Sequence, residues 1–147
     1  MPTNRTMRPA TPADAPALAV LDARAFQSGS EVWSVRAFAE SLSRPETVCL
    51  LVTEKMIPTA YVLACRCDCL YILKVAVRPD RRGTGLADAL LDRLFVTSDT
   101  DACLEVRVSN HHAIALYTRM GFEPIGRRPQ LYADPTEDGI IMQRRKG

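Results

Sequence analysis

Three features of this chain could do chemistry: a glycine turn, a carboxylate inside an apolar run, and a tyrosine two helical turns beyond an asparagine. The first is Val75-Ala76-Val77-Arg78-Pro79-Asp80-Arg81-Arg82-Gly83-Thr84-Gly85-Leu86-Ala87, an apolar run that passes through two glycines into a helical pattern. Glycine lets a backbone approach a ligand closely. The helix behind it offers unpaired N–H groups and a positive dipole end. Together these suit a pyrophosphate, although a plain strand–helix connection reads the same way. No Gly-Lys-Ser/Thr follows and the third glycine of a dinucleotide fingerprint is missing, so neither of those phosphate motifs applies.

Glu105 alternates with Leu104, Val106 and Val108, which puts it on the strand face of Cys103 and Arg107. A carboxylate there is either a general base or a partner in a salt bridge to Arg107 or a neighbouring strand. Tyr117 is either a general acid or a core tyrosine with its hydroxyl at the surface. Asn110 reads as a helix cap that is also free to meet a ligand. His111 and His112 fall on a first helical turn and read as surface residues. No Ser-His-Asp or Cys-His nucleophile set is apparent. Of Cys49, Cys65, Cys67, Cys69 and Cys103, three alternate as if on one strand face. The spacing lacks a C-x-x-C pair and no histidine lies near, so a metal site is disfavoured. An odd count argues against a closed disulfide framework, and small buried hydrophobes in a reduced protein are expected.

The elements that must position these residues follow from periodicity and breakers. A short strand is expected at 6–8. Thr11 and Pro12 open a helix of about four turns carrying Leu18, Leu21, Ala25 and Phe26, ended by Gly29. Ser34 caps a second helix with Phe38 and Leu42 on one face, Trp33 just before it acts as the hydrophobic staple, and Pro45 ends it. Strands are expected at 48–54, 60–67 and 70–77, a helix at 86–95, a strand at 103–108 and a helix at 111–120 closed by Gly121. Strands at 122–127 and 139–143 complete the sheet, with 128–138 as a loop. This order predicts an α+β, or mixed α/β, layered domain around a largely antiparallel sheet, one domain over residues 1–147. At 147 residues, with 47% hydrophobic and 24% charged, the chain is long enough for one core. A net charge of +2 gives no support to a nucleic-acid or membrane partner. The N-terminus lacks a signal-peptide core and no apolar run reaches membrane length, so a cytoplasmic protein is expected.

Arg82-Gly83-Thr84-Gly85-Leu86-Ala87, preceded by Val75-Ala76-Val77, resembles the R/Q-x-x-G-x-G/A motif of the GNAT acetyltransferases. Leu104-Glu105-Val106-Arg107-Val108-Ser109-Asn110, Ala113-Ile114-Ala115-Leu116-Tyr117 and Gly121-Phe122 resemble the branch that acetylates ribosomal-protein N-termini. The resemblance covers nearly the whole chain. It implies the acyl-CoA N-acyltransferase fold and acetyl-CoA as donor, with no metal. It implies a coenzyme site formed by Val75, Ala76, Val77, Arg82, Gly83, Thr84, Gly85, Leu86, Ala87 and Asn110. Glu105 is then the base and Tyr117 the acid, and Tyr132 stands with Trp33 at the peptide entrance. The implied acceptor is the N-terminal α-amine of a protein, probed against a small amine or lysine as acceptor and against a non-catalytic binding module. The chain departs from the branch at Leu131, where a tyrosine is common, and at His111 and His112, where small residues are usual; these departures bear on the acceptor more than on the chemistry.

Overall fold

The computed structural model describes residues 5–26 and 32–146. Seven strands form one sheet in the order β1-β2-β3-β4-β5-β7-β6. They are β1 (Arg5–Pro9), β2 (Thr47–Glu54), β3 (Ile57–Arg66), β4 (Leu70–Val77), β5 (Ala102–Arg107), β6 (Glu123–Tyr132) and β7 (Glu137–Arg144). Every neighbouring pair is antiparallel except β4–β5. Four helices flank the sheet: α1 (Ala15–Ala25), α2 (Val35–Leu42), α3 (Leu86–Val96) and α4 (His111–Arg119). This is the α+β layered arrangement expected from the element order.

Each face of the sheet carries its own apolar layer. On one, Leu86, Leu90, Leu91 and Leu94 of α3 and Leu116 and Tyr117 of α4 pack on Val62, Ile72, Leu104 and Val106. On the other, Leu18 and Leu21 of α1 and Phe38 of α2 pack on Leu51, Tyr61, Leu63 and Ala76. Helix α2 starts as expected. The Ser34 hydroxyl accepts the Ala37 N–H at 3.0 Å, and the Trp33 and Phe38 rings lie 5.3 Å apart as the staple. Helix α1 is preceded by a 3-10 turn at Pro12–Asp14, in which Asp14 accepts the Thr11 N–H at 2.8 Å. Gly29, expected to end that helix, lies outside the described residues.

Two stretches differ from expectation. Strand β3 begins at Ile57 rather than at 60, because Lys55 and Met56 both take positive φ (52° and 69°) and close a two-residue hairpin turn. Neither residue is the glycine or asparagine that announces such a turn. The segment expected as a loop at 128–138 is mostly strand. β6 runs to Tyr132 and pairs with β7 across Arg128–Gly139 and Tyr132–Glu137. Its proline and arginines read as loop, but β6 is an edge strand that tolerates them. Arg127 and Asp138 also clip the hairpin at 2.7 Å.

The cysteines are corrected as well. Cys65 is the last residue but one of β3, whereas Cys67 and Cys69 lie in the bend before β4, so the three share no strand face. Cys69 is disulfide-bonded to Cys103 of β5, with Cα atoms 6.6 Å apart. Of the three free thiols, only Cys49 is a buried hydrophobe; Cys67 is exposed. The bend brings Cys69 level with the one place where β4 and β5 pair, a juxtaposition that spacing along the chain cannot show.

Candidate active site

Strands β4 and β5 pair only through Leu70–Ala102 and Tyr71–Cys103. Beyond that point β4 continues with β3 and β5 with β7, so the two parallel strands part. A register shift at Leu63/Ala64 leaves Leu73 as an extra residue on β4. This bulge sends Val75 and Val77 to the α3–α4 layer, while Ala76 faces the α1–α2 layer.

A cleft of about 640 Å³ opens where the strands part. Its walls include Val75, Ala76 and Val77 of β4, and Arg82, Gly83, Gly85, Leu86 and Ala87 of the glycine turn and α3. Asn110, the N-cap of α4, and Tyr117 within α4 line it as well. Gly83 and Gly85 both have left-handed backbone, φ 77° and 84°. Gly85 is the N-cap of α3, so the first amides of that helix are aimed at the cleft's rim without intrahelical acceptors. This cradle fits a phosphate-bearing ligand with an extended apolar arm.

Arg82 reaches across the mouth, its Nη2 donating to the Ala25 carbonyl at 2.8 Å. The other two arginines of the cluster are held by carboxylates, Arg78 by Asp80 and Arg81 by Glu54. Thr84 is not part of the wall; its hydroxyl donates to the Arg81 carbonyl at 2.5 Å and closes the turn. Asn110 does two things at once. Its side chain accepts the Ala113 N–H at 3.1 Å as a cap, and it lines the cleft.

Glu105 and Tyr117 lie on opposite faces of the sheet beside the split. Tyr117 is buried in the α3–α4 layer, edge-on to Phe122 at 5.6 Å. Burial, with Tyr132 adding to it, pushes the phenol up to about 12, so it holds its proton at neutral pH. Glu105 projects from the other face. One carboxylate oxygen accepts from the Tyr71 hydroxyl and the other from Arg128 at 2.8 Å. The salt bridge weighed for Glu105 therefore exists, but with Arg128 of β6. Arg107 instead pairs with Glu137 at 3.1 Å and stacks on the Tyr132 ring at 4.6 Å. Glu105 and Tyr132 are not in the cleft wall.

Several residues escaped sequence reasoning. Tyr71 and Arg128 hold Glu105 from β4 and β6. Phe26 lines the cleft, as do Asp88 and Arg119, which bridge α3 to α4 at 2.9 Å. His112 is exposed as expected, yet it also borders the cleft. Tyr71 alone carried a signal, an aromatic within the apolar run 70–77. Among the described residues no group of three metal-ligating side chains forms.

Comparison with known proteins agrees with this geometry. The acetyltransferase (GNAT) family model matches residues 16–122. The [ribosomal protein bS18]-alanine N-acetyltransferase of Salmonella typhimurium is 43% identical over 77 residues, 48% of this chain and 52% of that protein. The enzyme of the same name from Escherichia coli is 40% identical over a segment of the same length and coverage. The chain thus spans about half the length of the curated relatives it matches. Over the whole fold, the crystal structure of the Escherichia coli ribosomal-protein-S18-alanine N-acetyltransferase superposes with a TM-score of 0.86 at 29% identity, covering 97% of this chain and 94% of that one. With a family model spanning most of its length and a site built on that family's glycine turn, this chain belongs to the GNAT acetyltransferase family.

Proposed function

We propose that residues 1–147 act as one catalytic domain that transfers the acetyl group of acetyl-CoA to the N-terminal α-amine of a protein, with a ribosomal protein as the acceptor. The observation that carries the chemistry is the cleft itself. A glycine cradle for a pyrophosphate leads along Val75–Val77 to a strand split flanked by Glu105 on one face and Tyr117 on the other. The acceptor class is supported by the names of the relatives that this chain resembles.

In this reading the amides of Gly83, Gly85 and the first turn of α3 bind the pyrophosphate. The backbone of Val75–Val77 carries the pantetheine arm, and Asn110 contacts it from α4. The donor supplies an activated thioester carbonyl. The acceptor nitrogen attacks that carbonyl, the N–C bond forms and the C–S bond breaks. Glu105 takes the proton lost by nitrogen, directly or through a water. Tyr117 gives its proton to the leaving thiolate. An α-amine with a pKa of about 8 is partly neutral at cellular pH, whereas lysine near 10.4 is not, so a modest base suffices for the first and not the second. Tyr132 and Trp33 line the acceptor side.

The proposed donor and acceptor support a cytoplasmic site for the reaction. Among the described residues no helix is long and apolar enough to cross a membrane. Arg78, Arg81, Arg127 and Arg128 each pair with a carboxylate. The test is mass spectrometry of acetyl transfer to free and blocked N-terminal peptides, lysine peptides and polyamines. Modification confined to free N-termini is expected. Transfer to lysine or polyamines alone would overturn the acceptor, and coenzyme binding without any transfer would overturn catalysis.

A further inference from the structure

The connection between β6 and β7 closes on a side chain that the chemistry above does not use. Arg107 stands two residues beyond Glu105 on the same face of β5, about 7 Å along the strand. Its guanidinium donates to the carbonyls of Ala133 at 2.8 Å and Pro135 at 2.9 Å, and to the Glu137 carboxylate at 3.1 Å. The guanidinium carbon lies 4.6 Å from the centroid of the Tyr132 ring. That ring belongs to β6 and reaches β5 by crossing β7 at Gly139, the register partner of Arg107. A β-carbon on Gly139 would stand 3.2 Å from Tyr132 Cε2 and 2.5 Å from Leu131 Cδ2, so the glycine leaves the passage open.

These contacts decide on which side of the sheet the ring stands. Leu104 and Val106 face the α3–α4 layer, so Glu105, Arg107 and the ring stacked on Arg107 lie on the opposite face. Tyr132 is not in the wall of the cleft assigned to the coenzyme. Burial raises the phenols of Tyr71, where Glu105 adds to it, and of Tyr117, and Tyr132 raises each further. In the acetyl-transfer reading Glu105 takes the proton lost by the acceptor nitrogen, so the acceptor approaches on the face where this ring stands. The turn has other anchors than Arg107. Ser109 donates to Glu137 from its hydroxyl at 2.8 Å and its backbone N–H at 3.2 Å, and the Val108 N–H donates to the Asp138 carbonyl at 3.1 Å. What arginine adds is a planar cation that forks onto two carbonyls and stacks on a ring, where lysine offers a point charge.

We propose that Arg107 is a positioning residue for the acceptor: it holds the Tyr132 ring across the Gly139 gap, beside Glu105 and outside the coenzyme cleft. This rests on the acetyl-transfer reading. Arg107 touches no reacting atom; it acts through Tyr132.

The test is a double-mutant cycle between Arg107→Lys and Tyr132→Ala. Acceptor KM, kcat, coenzyme A affinity by calorimetry and melting temperature are measured for wild type and the three variants on the best peptide. Arg107→Lys keeps the charge facing Glu137 and removes the fork and the plane. Each single variant is expected to raise the acceptor KM about tenfold, with kcat and coenzyme affinity within about threefold of wild type. In the Tyr132→Ala background, Arg107→Lys should raise the KM no further, because the ring it positions is gone. Additive rises overturn the proposal, and so does an unchanged KM in either single variant or an equal loss of coenzyme affinity. Where Arg107→Lys does not fold, Gly139→Ala takes its place in the cycle, since it leaves Arg107 intact and presses on the ring. A KM unchanged by Gly139→Ala, or a rise that persists without the ring, then overturns the proposal. A wild type that acetylates only another amine sinks the α-amine reading alone, and the same cycle on that amine decides the role of Arg107. A wild type that acetylates nothing overturns both.

Discussion

At the scale of single residues, Glu105 and Tyr117 differ in how they are held. Glu105 is gripped at both oxygens, by Tyr71 and by Arg128, so its carboxylate is oriented before an acceptor arrives. Replacing it as Glu105→Gln keeps the shape and removes the proposed base. Turnover at pH 7 should fall by about a hundredfold or more while coenzyme A affinity is unchanged, as steady-state kinetics and calorimetry would show. Tyr117 is held by packing, against Phe122 and the α3–α4 layer. Its phenol is raised from an ordinary value of 10 to about 12 by burial. A raised value means that the protonated form is favoured by folding. That contribution is complete below about pH 10 and is lost as pH climbs toward 12. Two outcomes follow for Tyr117→Phe. Turnover should drop with coenzyme affinity retained, and wild-type turnover should show no alkaline loss from this phenol between pH 7 and about 10.

At the scale of elements, the glycine turn and the helix behind it work as one unit. Gly85 caps α3 at φ 84°, and no atom would lie within 4 Å of an added Cβ. The demand for glycine is therefore conformational rather than steric within the free protein. Gly85→Val should cost about 1–2 kcal/mol of backbone strain. The loop would relieve that strain by moving its amides off the pyrophosphate position. Coenzyme A affinity should weaken about tenfold or more, measurable by calorimetry, with a melting temperature only a few degrees lower. Normal affinity would remove the phosphate role from this turn. The split between β4 and β5 is the other decisive element. It needs the single parallel pairing of the sheet and the bulge at Leu73, and neither is announced by a breaker residue.

At the scale of the whole molecule, the thiols separate by environment. Burial drives the Cys49 thiol up to about 12, while Cys67 is exposed. Iodoacetamide at pH 8 should label Cys67 first and Cys49 only after unfolding, as peptide mapping would reveal. The Cys69–Cys103 bond spans 34 residues and joins β4 to β5 at the base of the split. Loop-closure entropy for that span is worth about 4 kcal/mol, so dithiothreitol should lower the melting temperature by about 10 °C. A melting curve indifferent to reductant would show that the pair contributes nothing to the folded state.

The local devices were legible along the chain. The Thr11 and Ser34 helix starts, the Trp33–Phe38 staple, the glycine turn and the alternation that sets Glu105 opposite Leu104 all depend on neighbours within a few residues, where periodicity and turn chemistry suffice. Those same signals, with the motif around Arg82–Ala87, located most of the cleft wall. What they could not show is which distant residues meet. The Lys55–Met56 turn and the length of β6 were decided by pairing across the sheet, against weak local propensity. Tyr71 and Arg128 reach Glu105 from strands 34 and 23 residues away in sequence, and Asp22 finds Lys74 across 52. Cys69 finds Cys103 only because β4 and β5 run parallel for two residues and then part. The chain alone thus determined the glycine cradle, the faces of its strands and the class of fold. The partners that orient the carboxylate, seal the cysteines and bury the Asp22–Lys74 pair were chosen by tertiary packing, because charges and thiols pair through space and carry no record along the chain of where the fold will bring them.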